Sequence, residues 1–419
     1  MAVAFTSEPI DDMNVSNQHL IYTMVDTAAV PDRYIVQVYE NNLFVGDGTL
    51  IAKVYITPNA ESRGVFDLSD IVANRLIQTT TVTFQGTDKF VHDLGSAQQA
   101  SVTDMNARKY TVKAGRVENG VETLAQDSAV KNLINGAWQI KDGKHPSFAD
   151  YYTPFIPPSN TTKAWLTNLP NNSQLIERHM ADEDQGRAQI MNHYYAGALT
   201  SISGVKYNLY RADGSLLNTK TLTIGQQLYL PQMTRNVPMG PANVEDYFAS
   251  LWVAGWAYYD IFPVNVSATQ LGATLRIHKD CRPIKHQPVQ LAWANSVGGW
   301  DMLRFDARAP KTITKTEKRY RKDPLGWQGQ TTSWQPWDRG TTTFHNEGKI
   351  RFTLTHDQFT TDERALLEFC MRSRLVYYRY GTDAWAPCVV DTNSLVIEPA
   401  GSKMYRVSLA IEDANPVRC

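Results

Sequence analysis

The stretch from Leu291 to Ala307, LAWANSVGGWDMLRFDA, constrains the fold more than any other part of the chain. Apolar residues alternate on both sides of a glycine pair at 298–299. Because glycine adopts positive φ angles at little cost, this pair predicts a tight turn between two strands. Trp293, Trp300 and Phe305 flank the turn, and aromatic side chains bury the most apolar area per residue. We therefore expect a hairpin that anchors a β-sheet core, with Trp300 and Phe305 mostly buried.

Strand-like runs separated by turn residues extend through the whole chain. The predicted fold class is mainly β and multidomain, with immunoglobulin-like β-sandwich domains followed by a small α+β C-terminal domain. A chain of 419 residues is long enough for several domains. The expected segments are an N-terminal β-sandwich-like domain at 1–105, a turn-rich connecting segment at 106–170, a second β-rich domain at 171–290 and a C-terminal α+β domain at 291–419.

Turn and cap residues predict several local elements. Asn-Gly at 119–120 and Asp-Gly at 213–214 each separate two strand-like runs, which is typical of hairpins. Residues 64–76 have helical spacing, with Asp67 or Ser69 available as the N-cap. The aromatic segment that follows Ser250 is compatible with either a helix or a buried strand, because periodicity alone does not separate the two.

A helix is predicted over residues 361–371, near the C-terminus. Thr360 has the side chain of an N-cap, and Glu363 completes a capping box with it. Apolar residues three and four positions apart define the side that we expect to be buried. These residues are Leu366, Leu367, Cys370 and Met371.

Composition limits the classes of function. The formal net charge is −1, so no global electrostatic field favours nucleic acid or an anionic membrane. Four cysteines are too few for a disulfide scaffold, and we expect reduced thiols. The first residues, MAVAFTSEPIDDMN, lack the basic and apolar regions of a signal peptide. No run of about 18 apolar residues is present, so we expect no membrane insertion.

Two clusters contain residue types that bind metals. The run DEDQG at 182–186 begins like a calcium-binding loop, but its twelfth position is His193 rather than the bidentate glutamate. His278, Cys281 and His286 could supply three zinc ligands, yet no second Cys/His pair stands nearby. We predict a solvated acidic loop for the first cluster and a metal site in neither.

The sequence contains none of the common catalytic signatures G-x-S-x-G, H-E-x-x-H, the P-loop or G-x-G-x-x-G. We therefore predict no catalytic residues, no cofactor and a protein that is not an enzyme. A cell-wall hydrolase stays open as an alternative, because the two carboxylates of a glycosidase can lie far apart in sequence.

A basic run, KTITKTEKRYRK, occupies residues 311–322. We expect an exposed charged strand, or a face that pairs its charges with a neighbouring subunit. Contact with single-stranded DNA is the weaker alternative, because such sites interleave charge with aromatic stacking platforms and only Tyr320 lies within the run. The cations concerned are Lys311, Lys315, Lys318, Arg319, Arg321 and Lys322.

Several aromatic residues lie in turn-rich segments where they cannot all reach a core, and the segment from Arg321 to Lys349 is expected to be one long loop. Interfaces between subunits are enriched in Trp and Tyr, so these residues are the candidate interface. Stacking on sugars is the alternative. The residues are Tyr151, Tyr152, Phe155, Trp327, Trp334 and Trp337.

Three fragments, at 163–170 (KAWLTNLP), 291–301 (LAWANSVGGWD) and 359–418, resemble virion structural proteins of tailed bacteriophages and prophages of the Bacteroidota. The usual family form has a basic residue and Leu before the glycine pair, whereas Ser296 and Val297 stand there in this chain. The resemblance covers the C-terminal half well and the remainder loosely.

This resemblance implies a structural component of a virion, a non-enzymatic assembly module of the tail or neck such as a ring, collar or adaptor subunit. Its expected partners are other virion proteins, including portal-proximal subunits, and copies of itself. Its expected location is the virion, assembled in the host cytoplasm. The alternative from a different class is a receptor- or glycan-binding tail adaptor.

Overall fold

The structure is a computed structural model of the chain. It describes residues 3–9, 13–15, 19–40, 48–73, 107–134, 164–169, 174–191, 202–223, 234–248, 250–282, 285–321, 326–328, 331–333, 341–356, 359, 361–381, 385–392, 407–415 and 417–418. These residues are mainly β and form several separate sheets, which confirms the predicted mainly β class.

The chain divides into two compact units. Unit 1 consists of residues 1–282 together with 294–302, and unit 2 consists of residues 283–293 together with 303–419. The expected four-segment division stays a prediction.

Unit 1 contains most of the strands and the first labelled helix, α1 (Pro241–Tyr247), which has a proline in its first turn. Its strands are β1 (Val3–Ser7), β2 (Met13–Val15), β3 (Ile21–Asp26), β4 (Arg33–Glu40), β5 (Thr49–Ile56), β6 (Arg63–Asp67), β7 (Ala107–Glu118), β8 (Val121–Asp127), β9 (Lys131–Ile134), β10 (Leu175–Met180), β11 (Arg187–Met191), β12 (Gly204–Tyr210), β13 (Leu216–Thr223), β14 (Thr234–Pro238), β15 (Tyr258–Val264) and β16 (Thr274–Lys279).

Unit 2 contains the second labelled helix, α2 (Thr361–Arg372). The remaining strands are β17 (Val289–Ala294), β18 (Trp300–Phe305), β19 (Lys311–Arg321), β20 (Gly326–Gln328), β21 (Thr331–Ser333), β22 (Thr341–His356), β23 (Val376–Tyr380), β24 (Ala386–Val390), β25 (Val407–Asp413) and β26 (Val417–Arg418). The tip of the β17–β18 hairpin, residues 294–302, is part of unit 1.

Two sheets of unit 1 share one hydrophobic core. The first has the strand order β1-β3-β6, and the second has the order β2-β9-β7-β4-β5 with β8 paired to β7. Tyr22 and Phe66 from the first sheet and Val36 and Val112 from the second are buried in this core. Alternation along each strand explains this arrangement, because every second side chain points to the same face.

A further sheet of unit 1 has the order β10-β16-β15-β12-β13, and β11 pairs with β14. Tyr207, Tyr259 and Ile277 are buried on one face of the sheet. In unit 2 the main sheet runs β18-β17-β23-β24-β25-β22-β19, with β26 paired to β22 and a small β20–β21 hairpin apart from it.

The structure confirms several local predictions. The Asn-Gly and Asp-Gly turns at 119–120 and 213–214 join β7 to β8 and β12 to β13, with both Asn119 and Gly120 at positive φ. Helix α2 spans the predicted 361–371. Of its four predicted apolar side chains, Leu366, Leu367 and Cys370 are buried and Met371 is half-buried. Thr360, the predicted N-cap, lies outside the described residues.

The predicted helix at 64–76 is wrong over its first part, and its last residues, 74–76, lie outside the described residues. Residues 63–67 form β6, whose alternating burial matches its pairing with β3, and helical structure covers residues 69–73. The Asp67 carboxylate accepts hydrogen bonds from the backbone N–H groups of Ser69 (3.0 Å) and Leu20 (3.2 Å), so it joins the strand end to the helical residues. The ambiguous aromatic segment after Ser250 enters strand β15 at Tyr258.

Candidate functional site

The feature of unit 2 that stands apart is a long ribbon formed by β19 and β22. Its outer half, Glu317–Arg321 with Thr341–Asn346, has no further strand beside it among the described residues. Strand β19 pairs antiparallel with β22, from Lys311 opposite Phe352 to Arg321 opposite Thr341. At about 3.3 Å per residue, the eleven residues of β19 extend over roughly 35 Å. Among the described strands, β19 pairs with β22 alone, so its outer edge is a sheet edge. Every residue of β19 except Glu317 is exposed, which confirms the predicted exposed charged strand.

Apolar side chains on the ribbon face solvent. Ile313 is 69% exposed and Phe344 is 62% exposed. A bulge between Lys318 and Arg319 leaves Phe344 without a partner in the register. Its ring lies 6.1 Å from that of Tyr320, measured between centroids. The ribbon therefore presents apolar groups that no described part of the chain covers.

Charges on the ribbon are only partly neutralised by its own residues. The Glu317 carboxylate forms ion pairs with Lys315 (2.6 Å) and with Arg319. Near the ribbon's base, Lys349 forms an ion pair with Glu412 at 2.7 Å, and this hydrogen bond raises the lysine's pKa. Within the described part of the chain, Lys318 and Arg321 have no acidic partner within ion-pair distance.

The β17–β18 hairpin tip is buried in unit 1. Trp300 is 3% exposed and Phe305 in the β18 stem is fully buried, which confirms the predicted burial of both side chains. Trp300 belongs to unit 1, however, so its expected place in the C-terminal domain is wrong. Gly298 adopts φ +84°, as a tight turn requires. Gly299 is needed for a different reason: an added Cβ would overlap the carbonyl oxygen of Leu166.

A network of polar groups surrounds this turn. Asp301 is 0% exposed. Its carboxylate accepts hydrogen bonds from the Thr167 hydroxyl, the backbone N–H of Asn168 (3.0 Å) and the side-chain amide of Asn295 (3.1 Å). Asn295 also donates to the Leu166 carbonyl (2.8 Å). These bonds satisfy the buried carboxylate, so the network fixes the turn in place.

A small cavity lies beside this network, lined by Trp165, Arg178, Met239, Trp300 and Asp301 among others. It is too small for any ligand larger than a water molecule. The Arg178 guanidinium fills part of this region and donates to the backbone carbonyl of Met302. The buried tip is therefore a packing element of unit 1.

The acidic run predicted as a solvated loop is partly buried. Asp184 is buried and accepts a hydrogen bond from the backbone N–H of Ala181 (2.8 Å), so the expectation of a solvated loop is wrong for this residue. Asp182 forms an ion pair with Lys279 at 2.8 Å. In the described ranges, no group of three or more His, Cys, Asp and Glu side chains is arranged to hold a metal ion. His278 instead lies 3.0 Å from the Glu177 carboxylate.

The candidate interface aromatics at 151, 152, 155, 334 and 337 lie outside the described residues, as does Lys322 of the basic run. Trp327 belongs to β20, whose backbone pairs with β21. The prediction of one long loop from 321 to 349 is wrong in part, because strand β22 begins at Thr341. Threonine is favoured in strands, and a run of three threonines starts β22.

One arrangement was not predicted from the sequence. His179, His278, Tyr258 and Tyr210 occupy matching register positions on β10, β16, β15 and β12. Their rings follow one another at centroid distances of 5.1, 5.8 and 5.0 Å. All four are exposed or half-buried. The signal was missed because strand register, rather than spacing in the sequence, brings these residues into one row.

No helix among the described residues is both long and apolar enough to cross a membrane. No protein-family model matches the chain, and no curated protein matches it. Among solved structures, trypsin-activated alpha-2-macroglobulin from Escherichia coli matches at a TM-score of 0.22 and 8% identity, covering 97% of this chain and 23% of that one.

The native conformation of the E. coli alpha-2-macroglobulin matches at a TM-score of 0.21 and 10% identity, over 85% of this chain and 22% of that one. The chain thus spans less than a quarter of the length of these two structures. Likeness at this level assigns neither a family nor an activity.

Proposed function

We propose that the protein is a structural subunit of a tailed-phage virion, a non-enzymatic assembly module of the tail or neck. Its partners would be copies of itself and other virion proteins, and its place would be the particle. The exposed β19–β22 ribbon is the single observation that carries this proposal. The virion setting rests on the resemblance of the three sequence fragments.

An isolated two-stranded ribbon is at best marginally stable in water, because it has too few neighbours to bury an apolar face. This ribbon nevertheless displays Ile313, Tyr320 and Phe344 to solvent. Exposed apolar groups and an open strand edge are liabilities for a free monomer unless a partner covers them. A subunit whose ribbon docks onto a neighbour removes both liabilities at once.

The chain between the two ribbon strands carries Trp327, Trp334 and Trp337. Tryptophan is enriched where subunits meet, so these residues are candidates for the same interface. We assign Tyr151, Tyr152 and Phe155 to subunit contacts on compositional grounds alone.

The finer architecture is also part of this proposal. The shared core between the β1-β3-β6 sheet and the sheet that contains β4 and β7 supports an immunoglobulin-like sandwich in unit 1. Unit 2 combines its strands with helix α2, one face of which is buried, and this combination supports a small α+β C-terminal domain.

Limited proteolysis tests the function. Trypsin should cut the free protein between 318 and 349 quickly and spare the same sites in assembled particles, because docking covers the ribbon. Cleavage after Arg374, which is also exposed in unit 2, gives a reference rate within the same digest. Equal cleavage of the ribbon in both states would contradict docking and favour a receptor-binding adaptor that displays it.

A receptor- or glycan-binding adaptor is the second candidate function. The row of rings from His179 to Tyr210 favours it, because accessible aromatic groups are common in such sites. A glycan array with the wild-type protein and a Tyr258→Ala variant separates the two functions. Binding that the variant loses would support the adaptor.

A further inference from the structure

The two units have opposite net charges. Unit 1 has 22 basic and 28 acidic residues, a net charge of −6, and unit 2 has 19 basic and 14 acidic residues, a net charge of +5. The two values cover the whole chain and agree with its formal net charge of −1. A near-neutral chain therefore has two oppositely charged halves, which favours contact between unlike units of different copies.

Each unit also has an edge strand whose charge has the same sign as the net charge of that unit. The basic edge is β19 in unit 2, with five Lys and Arg residues against the single Glu317. The acidic edge is β8 in unit 1, VETLAQD, which has Glu122 and Asp127 and no basic residue. Among the described strands, β8 pairs with β7 alone.

Both edges combine charge with exposed apolar groups. On β8, Val121 is 64% exposed and Leu124 is exposed as well. Glu122 accepts from Lys53 (2.9 Å) and from the Tyr55 hydroxyl (2.5 Å), yet it stays at the surface. On β19, Ile313 stands among the cations. An apolar contact framed by opposite charges is therefore available to this pair of edges.

Charge restricts which edges can meet. An open edge offers unpaired N–H and C=O groups to another strand, and lysines along it discourage pairing with a like edge. Two β19 edges repel each other, and so do two β8 edges, since like charges placed opposite each other are destabilising. A β19 edge and a β8 edge attract. The contact between copies is then head-to-tail, and such contacts build rings or filaments.

We infer that β19 of one copy pairs edge to edge with β8 of a second copy in a head-to-tail assembly. We call the basic edge of β19 the donor edge, or donor, and the acidic edge of β8 the acceptor edge, or acceptor. This inference rests on the proposed function and names its first partner, a second copy of this chain.

Complementary charge reversals test it in the full-length protein. Lys318→Glu with Arg321→Glu disables the donor, and Glu122→Lys disables the acceptor. Light scattering after size exclusion should show wild-type oligomers whose mass rises with concentration and falls in high salt. Each variant alone should remain monomeric, and an equimolar mixture of the two should recover assembly, because the intact donor meets the intact acceptor and the two reversed edges also carry opposite charges.

Matched controls carry the same charge changes elsewhere. Glu245→Lys in unit 1 and Lys285→Glu in unit 2 alter exposed residues that belong to neither edge strand and should assemble like the wild type. Because Glu122→Lys also breaks a bond to Lys53, Leu124→Lys provides a second acceptor variant with the same expected loss. Far-UV circular dichroism checks that each variant is folded.

Several outcomes would overturn the inference. Wild-type protein that stays monomeric at every concentration would do so, as would oligomers that neither set of edge variants changes. Binding of a single-stranded DNA oligonucleotide that the donor variant loses, with oligomers unchanged, would show that the ribbon recognises nucleic acid instead. If the ribbon is still protected in particles while the edge variants assemble normally, the proposed function stands and only this partner is wrong.

Discussion

Two hairpins with similar sequence patterns differ in burial: one has a buried tip, and the other is exposed to solvent. The β17–β18 hairpin has its tip inside unit 1, and its polar residues bond to one another, as Asp301 does to Asn295. The β19–β22 ribbon of unit 2 displays both its charges and its apolar residues to solvent. Alternation of polar and apolar residues builds a hairpin in either case, whereas the surroundings decide whether its carboxylates and rings are buried.

The difference shows where each hairpin derives its stability. In the buried tip the Asp301 carboxylate and the Asn295 amide both have hydrogen-bond partners, so removing one group leaves others unsatisfied in a dry environment. The ribbon keeps its groups hydrated, so each of its interactions is weak in the monomer and free to be replaced by a partner. The first two predictions below compare the two hairpins, and the later ones compare other pairs of buried and exposed positions.

The largest effect is expected for aromatic truncation. Trp300→Ala or Phe305→Ala should lower the free energy of unfolding by ~3–5 kcal/mol, because a buried ring is replaced by a cavity. The matched ribbon change, Ile313→Ala, should stay within about 0.5 kcal/mol because its side chain is exposed. Urea denaturation of the monomer measures both. Comparable losses would remove the distinction between the hairpins.

A carboxylate comparison gives the next effect. Asp301→Ala should cost about 2–4 kcal/mol, because it leaves the buried donors of Thr167, Asn168 and Asn295 without an acceptor. Glu317→Ala on the ribbon removes two ion-pair partners as well, yet it should cost less than about 1 kcal/mol. The same denaturation assay decides, and an Asp301 variant as stable as the wild type would show that the network is not stabilising.

Glycine substitutions should produce a smaller effect. Gly299→Ala should cost about 1–3 kcal/mol, since the new methyl group overlaps the Leu166 carbonyl and the tip must shift. Gly120→Ala, at φ +79° in the exposed β7–β8 turn, meets no neighbouring atom and adds only backbone strain of about 1 kcal/mol. Thermal unfolding of both variants should rank them in this order, and the reverse order would contradict the close approach.

The reactivity of the cysteine thiols gives a further comparison between buried and exposed side chains, with the smallest expected effect on stability. Burial raises the pKa of the Cys370 thiol and raises that of Cys388 to about 12, whereas Cys281 is exposed. In a Cys419→Ser background, a thiol reagent near pH 8 should label Cys281 at once and the buried pair only after unfolding. Fast labelling of all three in the native state would contradict the burial.

The same pKa shifts give a direction with pH. A folded pKa raised above the unfolded value of about 8.5 means that the neutral thiol is favoured by folding. Its contribution to stability is complete below about pH 8.5 and is lost as the pH rises toward the folded pKa of Cys388, about 12. Urea midpoints measured across this window should fall more for the wild type than for a Cys388→Ala variant.

The sequence by itself determined the local elements of this protein. Turn residues located the hairpins at 119–120 and 213–214, and apolar spacing located helix α2, because these signals act within a few residues. The burial of Trp300 and Phe305 also followed from local pattern, since rings of that size flanking a tight turn seldom stay in water.

Only the tertiary structure decided the rest. Two of the partners of Asp301, Thr167 and Asn168, lie more than 130 positions earlier in the chain, and strand register alone aligns His179 with His278. The start of β22 at Thr341 was likewise missed, because the residues before it are turn-rich and only the pairing with β19 fixes where the strand begins. Such features depend on which distant strands pair. The free energy that favours one pairing comes from contacts across whole sheets, so no short stretch of sequence determines it.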